Sequence, residues 1–260
     1  CNPLDRTLKT AENIVNYWPH KWGVYPNLGI GEPSPDGNTL AFVLNGEIWI
    51  VPIEGGRPQQ ITRGKTQGAS RGIADFIAQE EMRRPSGFWW SREGDYIAFT
   101  EVEEGHIPQF NILHSGDADP GPASVETHRY PFSGSENPRV KLGVTDLQGH
   151  INWLNTSEYE YIARVNWGRS HVLYVQCQNR EQTRLDLLSF DIPSGARKTI
   201  LNEESDVWVN LHDMIYPLED GKLIWASERT GYQHLYLYDL DLQTNSFTET
   251  ALLEFNTNRD

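Results

Sequence analysis

Positive charge is scarce in this sequence. Lysine and arginine number 22 against 36 aspartates and glutamates, a formal net charge of −14 over 260 residues. A nucleic-acid surface needs concentrated basic side chains, so nucleic acid is not an expected partner. The surplus acids are spread along the chain and by themselves report solubility. Cysteine is scarcer still. Cys1 and Cys177 are the only two, too few for a disulfide framework. Cys177 lies in the strand-like "VLYVQCQN" and reads as a buried free thiol. No run approaches 18 apolar residues, so no membrane-spanning helix is expected. No charged-then-apolar signal sequence opens the chain, although Cys1-Asn2 fits a processed lipoprotein start and the sequence reads as cut at both ends.

Recognisable catalytic motifs are also missing. There is no Gly-x-Ser-x-Gly nucleophile elbow, no His-Glu-x-x-His, no Cys-x-x-Cys and no phosphate-binding Walker loop. The eight histidines have no metal-ligand spacing. No catalytic residue, metal or cofactor is therefore expected in this chain.

Aromatic and turn residues are plentiful. Nine tryptophans within an 11% aromatic fraction indicate a chain that folds, because disordered chains are poor in aromatics. Twenty-two glycines and 15 prolines favour short strands and many turns. A repeat organises them. "SPDGNTLAF" (34–42) and "SREGDYIAF" (91–99) share Ser-x-acid-Gly-x-x-aliphatic-Ala-Phe, and "DGKLIW" (220–225) is a looser copy. "WGRSHVLYV" (167–175) holds the equivalent place without the acid-Gly turn. Each acid-Gly pair supplies a positive-φ turn before a strand. A second strand with period-two alternation follows: "EIWIVPIEGG", "RVKLGVTDLQG", "RLDLLSFDIPSG" and "HLYLYDLDLQTN". Short strands such as "RPQQIT" and "ARKTIL" come next.

About four strands per repeat match the blade of a β-propeller. The expected fold is therefore all-β, a single propeller domain over 1–260, with blades near 28–63, 86–150, 158–203 and 208–250. Residues 1–27 belong to a preceding blade or a linker. Four blades seldom close a ring, and an open arc bares apolar faces. The chain thus reads as part of a larger ring.

Two segments depart from the repeat. "HSGDADPGPASVETHRYPFSGSENP" (114–138) is a long turn-rich insertion, the kind of loop that carries function. "SRGIADFIAQEEMRR" (70–84) has Ile73, Phe76, Ile77 and Met82 at spacings that suit a short helical insertion near 72–84. Pro85 would end that helix. It carries Glu80 and Glu81, the candidate site. Adjacent helix residues point about 100° apart, so both carboxylates reach one point only at a helix end or bend. There they would bind an ammonium by charge-assisted hydrogen bonds. Two plainer readings stand beside this one: solvated acidic surface, and neutralisation by Arg83 and Arg84. Trp89-Trp90 open a strand, where neighbours face opposite sides, and read as structural.

The order "GIADFIAQEEM", "GFWWS", "HRYPFSGSENPRVKLGV", with "EYIARVNW" further on, resembles the propeller domain of dipeptidyl peptidase IV and its relatives, within the prolyl oligopeptidase family of serine peptidases. The likeness is densest over 72–144 and closer to the intracellular members and their bacterial relatives than to the cell-surface one. It implies a propeller joined to an α/β-hydrolase domain, whose Ser-Asp-His triad removes X-Pro or X-Ala dipeptides from peptides with a free amino terminus. It also implies that Glu80 and Glu81 hold the substrate ammonium. The hydrolase domain is not in this chain, which should be inactive alone and takes that domain as its expected partner. A homodimer of the parent is expected from the family's habit. A cytoplasmic location is favoured by the same likeness, with periplasmic or lipoprotein placement as alternatives. The rival functions are a non-catalytic interaction module, since some relatives have lost catalysis, and a freestanding binding propeller.

Overall fold

The computed structural model describes residues 28–113, 125–218, 221–241 and 246–253. The expectations for Cys1, for residues 1–27, for the start of the insertion at 114–124 and for the Asp220 turn fall outside them. The chain divides into two compact units. One holds the residues up to Trp90 with Gly94–Trp153, the other Ser91–Glu93 with the chain from Leu154 on.

In the first unit, β1 (Leu28–Pro33), β2 (Thr39–Leu44), β3 (Glu47–Pro52) and β4 (Gln59–Gln60) form an antiparallel meander in sequence order. The acid-Gly turn that opens it is closed by side chains. Asp36 accepts from Ser34 Oγ at 2.5 Å and from the Asn38 amide at 3.1 Å, and the Thr39 amide reaches Ser34 Oγ at 3.0 Å. The motif thus supplies its own hydrogen-bond partners before the strand begins.

The second sheet has the order β11-β10-β7-β5-β6, from β5 (Ala69–Ile73), β6 (Ser86–Trp90), β7 (Tyr96–Glu103), β10 (Arg139–Asp146) and β11 (Ile151–Leu154). Its five strands are a four-stranded blade whose first strand is split. β6 pairs with the first half of β7, Phe88 opposite Phe99. β5 pairs with the second half, Arg71 opposite Glu101. The halves meet at Gly72 and Gly87. Both glycines are required there. A Cβ on Gly87 would lie 2.4 Å from the Ile73 carbonyl carbon, and one on left-handed Gly72 2.8 Å from Val43 Cγ2. Residues 74–85 leave the sheet at this crossing and carry the helix α1 (Phe76–Glu80). Between β7 and β10 a hairpin of β8 (Gln109–Leu113) and β9 (Val125–Arg129) is inserted.

Two expectations are corrected here. The second blade starts at Ala69 rather than near 86, because Ala69–Arg71 pairs with β7. The short helical insertion near 72–84 is present as a five-residue helix, bounded because Ser70–Ile73 continues a strand and Arg83 turns left-handed, with φ 52°. Trp89 and Trp90 close β6 rather than open a strand, and both are half-buried. Trp90 Nε1 donates to the Glu32 carbonyl at 3.1 Å, tying β6 to β1. The core between these two sheets is Ala41, Val43, Ile48, Ile61, Phe88, Ile97 and Phe99.

The second unit holds two uninterrupted meanders. One is β12 (Tyr161–Trp167), β13 (Val172–Gln178), β14 (Arg184–Asp191) and β15 (Ala196–Glu204). The other is β16 (Ile215–Pro217), β17 (Leu223–Ser227), β18 (His234–Asp241) and β19 (Ser246–Leu253). Tyr174, Leu187, Leu201, Leu223, Trp225 and Tyr238 form their shared core. Cys177 is a buried free thiol, and burial pushes its ionisation far above the ordinary range. No helix among the described residues is long and apolar enough to cross a membrane.

Candidate functional site

The candidate site is the excursion between Gly72 and Gly87. Its start is fixed by Asp75, which caps α1 by accepting from the Ala78 amide at 3.0 Å. One face anchors it: Ala74, Ala78 and Met82 are buried. Its end is a reversal through left-handed Arg83, in which the Glu81 and Met82 amides reach the Ile77 carbonyl and the Arg84 amide reaches the Ala78 carbonyl at 2.8 Å. That reversal, not Pro85, stops the helix.

The return is pinned by a buried ion pair. Arg84 Nη2 lies 3.4 Å from Asp75 Oδ2, and both side chains are less than a tenth exposed. Arg84 Nη1 donates to the Ser86 carbonyl at 2.8 Å, and its guanidinium sits 5.7 Å from the Trp89 ring centre. Below the cap, burial and the neighbouring Asp75 push the Glu104 carboxyl above the usual carboxylate range, and Arg129 opposes that shift.

Glu80 and Glu81 stand on the opposite, exposed face. Glu80 is the last helical residue and Glu81 the C-cap, so the pair lies at the helix end that convergence requires. Among the described residues neither carboxylate has a hydrogen bond or ion pair. Arg84, one of the two arginines that might have neutralised them, is engaged with Asp75. No basic residue occupies the last turn, so two anions sit at the negative end of a helix without compensation. Local electrostatics disfavours that arrangement.

An aromatic cluster flanks the helix. Phe76 meets Tyr130 edge-on at 4.9 Å, Tyr130 meets Phe132 at 5.0 Å, and Phe110 lies 6.0 Å from Phe132. The sequence pointed to Glu80 and Glu81 but not to Asp75 or Arg84. Asp75 ahead of an apolar run is a legible cap signal. The inward turn of Arg84 has no sequence signal.

Comparison with known proteins places the chain in a family. The chain is 27% identical to human dipeptidyl peptidase 8 over 272 residues, covering 83% of this chain and 30% of that protein. It is 30% identical over 225 residues to a protein of Aspergillus fumigatus named as a dipeptidyl peptidase 4, covering 79% and 29%. It therefore spans under a third of the length of these relatives. Among solved structures, the dipeptidyl peptidase 4 of Porphyromonas gingivalis superposes with a TM-score of 0.75 at 23% identity, over 87% of this chain and 32% of that one. This likeness carries the fold: the four sheets are blades of a β-propeller. The family described as the dipeptidyl peptidase IV (DPP IV) N-terminal region matches residues 11–254, and the chain belongs to it.

Proposed function

We propose that this chain is the substrate-gating part of a serine dipeptidyl aminopeptidase, and that Glu80 and Glu81 grip the amino-terminal ammonium of the peptide substrate. The observation that carries the reading is the bare carboxylate pair at the C-terminal end of α1, held on a braced excursion from a blade. An ammonium offers three donors to two acceptors, and charge-assisted bonds of this kind are the strong ones. With the ammonium fixed, about two extended residues at roughly 3.3 Å each separate it from the bond to be cut. The carboxylates act as a ruler, which makes the enzyme an exopeptidase releasing X-Pro or X-Ala dipeptides. Their contribution is positioning rather than bond chemistry. The nucleophile and its partners belong to the α/β-hydrolase domain of the parent protein, and the four blades to a larger ring in one propeller domain.

The test uses the full-length protein. We expect cleavage of Ala-Pro-chromophore to exceed that of its N-acetyl form strongly, because acetylation removes the charge that compensates the carboxylates. Glu80→Ala and Glu81→Ala should each lower kcat/KM for the free amine by about 10²-fold, the scale of one lost hydrogen bond to a charged group. Equal cleavage of both substrates would remove the reading.

A second reading, a non-catalytic interaction module, draws on the β8–β9 hairpin, where Phe110, Ile112, Leu113 and Val125 are exposed. It predicts a full-length protein without a nucleophilic serine at a Gly-x-Ser-x-Gly elbow.

A further inference from the structure

Glu80 and Glu81 are followed by two arginines, and the position of one of them needs a cause. On a continuing helix Arg84 would stand four residues after Glu80 and three after Glu81, the spacings at which side chains meet. A guanidinium there would occupy the place of a substrate ammonium. Arg84 instead turns inward to Asp75 Oδ2 at 3.4 Å and the Ser86 carbonyl at 2.8 Å, and is itself 5% exposed.

We propose that Asp75 keeps the ammonium clamp open by holding Arg84 in the interior, away from Glu80 and Glu81. This rests on the reading of the pair as that clamp. Arginine stays charged under all relevant conditions and tolerates burial only beside a counter-charge. Asp75, 6% exposed, supplies it. Glu104 is a further charged group that interacts with Asp75, and Arg129 opposes the upward shift of its carboxyl. If the charge of Asp75 is removed, the buried guanidinium loses that counter-charge, while two bare carboxylates stand three and four residues before it in the chain. Arg84 then swings out and blocks the clamp from within. Asp75 is on this account a positioning residue, acting through Arg84. The motif holds its own inhibitor, and the buried ion pair restrains it.

The same residues could be purely structural, and a double substitution separates the two roles. Asparagine caps a helix as well as aspartate, so Asp75→Asn preserves the start of α1 while removing the charge. In the full-length protein, Asp75→Asn should lower kcat/KM for Ala-Pro-chromophore by about tenfold, the lower end of the range for one charge-assisted bond. The loss should lie in KM, because an internal cation competes with substrate binding. Cleavage of the N-acetyl substrate should not change. Asp75→Asn combined with Arg84→Met should recover most of the loss, and Arg84→Met alone should keep the discrimination between free and acetylated amines.

A structural role predicts the reverse: a double variant at least as impaired as the single one, and an effect on both substrates. Either result, or an Asp75→Asn variant with unchanged KM, overturns the proposal. If Asp75→Asn does not fold, Arg84→Met alone decides, since loss of discrimination there would show that Arg84 supports the clamp rather than threatening it. Glu80→Ala and Glu81→Ala are run beside these. If they keep full discrimination, the clamp reading itself fails. If they lose it while Asp75→Asn does not, only the role of Asp75 is refuted.

Discussion

The sheet of β5, β6, β7, β10 and β11 and the sheet of β12 to β15 share one plan and handle their charges differently. In the β12–β15 sheet the central β13–β14 ladder runs without a break from Val172 opposite Asp191 to Gln178 opposite Leu185. Its buried acid, Asp186, is fully satisfied: Tyr159 OH donates at 2.6 Å, Asn202 Nδ2 at 2.5 Å and Arg184 Nη2 at 2.8 Å. In the other sheet the first strand is broken open, and the excursion displays Glu80 and Glu81 with no partner among the described residues. A charge saturated by its own fold has nothing left for a ligand. A charge left bare on a braced support does. On the proposed reading the carboxylates used for function are the less embedded ones, and stability and activity should separate between the two sheets.

The largest effects should come from breaking that division directly. Asp186→Ala would leave Tyr159, Asn202 and Arg184 without their shared acceptor, and we expect it to cost about 3 kcal/mol, read from chemical denaturation. Glu80→Ala and Glu81→Ala should leave the denaturation midpoint within about 0.5 kcal/mol, or raise it slightly by removing a repulsive pair. A midpoint that falls as far for Glu80→Ala as for Asp186→Ala would erase the comparison.

A second effect of similar size sharpens it. Gly87 sits where the split strand crosses itself, and a Cβ there would meet the Gly72 carbonyl carbon at 2.5 Å as well as the Ile73 backbone. That paired backbone cannot yield, so Gly87→Ala should cost about 3 kcal/mol, the upper end for overpacking. It should also lower free-amine selectivity by tilting the excursion. Gly195, in the turn before β15, has a left-handed φ of 70° and open space around it. Gly195→Ala should cost only the backbone strain, about 1–2 kcal/mol, with no change in selectivity. Thermal unfolding and the free-amine to N-acetyl ratio, measured together, would check both.

The regular sheets were readable because each repeats a local signal. Asp36-Gly37 and its kin mark the turn, and alternation in segments such as "RLDLLSF" marks the face. The split strand was not readable, because its cause is non-local. Arg71 interrupts an apolar pattern and looks helical, yet it lies in a strand, where Glu101 at 2.7 Å and Glu47 at 3.6 Å compensate it from elsewhere in the chain. The end of α1 was misread for a related reason. Pro85 is a conspicuous stop, whereas Arg83 adopts a left-handed conformation that nothing in its side chain announces. Glu80 and Glu81 stand out as candidates only through the order of motifs around them. The bareness of the pair was not legible, since it depends on where Arg84 goes.

The mildest prediction concerns Glu104, a partly buried carboxyl that interacts with Asp75. Burial comes first among the causes that hold its carboxyl above the ordinary range, and Asp75 adds to it. The folded protein therefore binds the Glu104 proton more tightly than the unfolded chain. The stability tied to this group is fully present below the unfolded value of about 4.3 and is lost as pH rises through the folded one. Glu104→Gln removes the ionisation while keeping the shape. It should raise the Tm at pH 7, and the gain should vanish below about pH 4, where the wild-type carboxyl is protonated anyway. Arg129 bonds the Gly105 and Ile107 carbonyls at 3.2 and 2.6 Å and keeps those contacts in the variant. A gain independent of pH would mean that packing, not charge, limits this site.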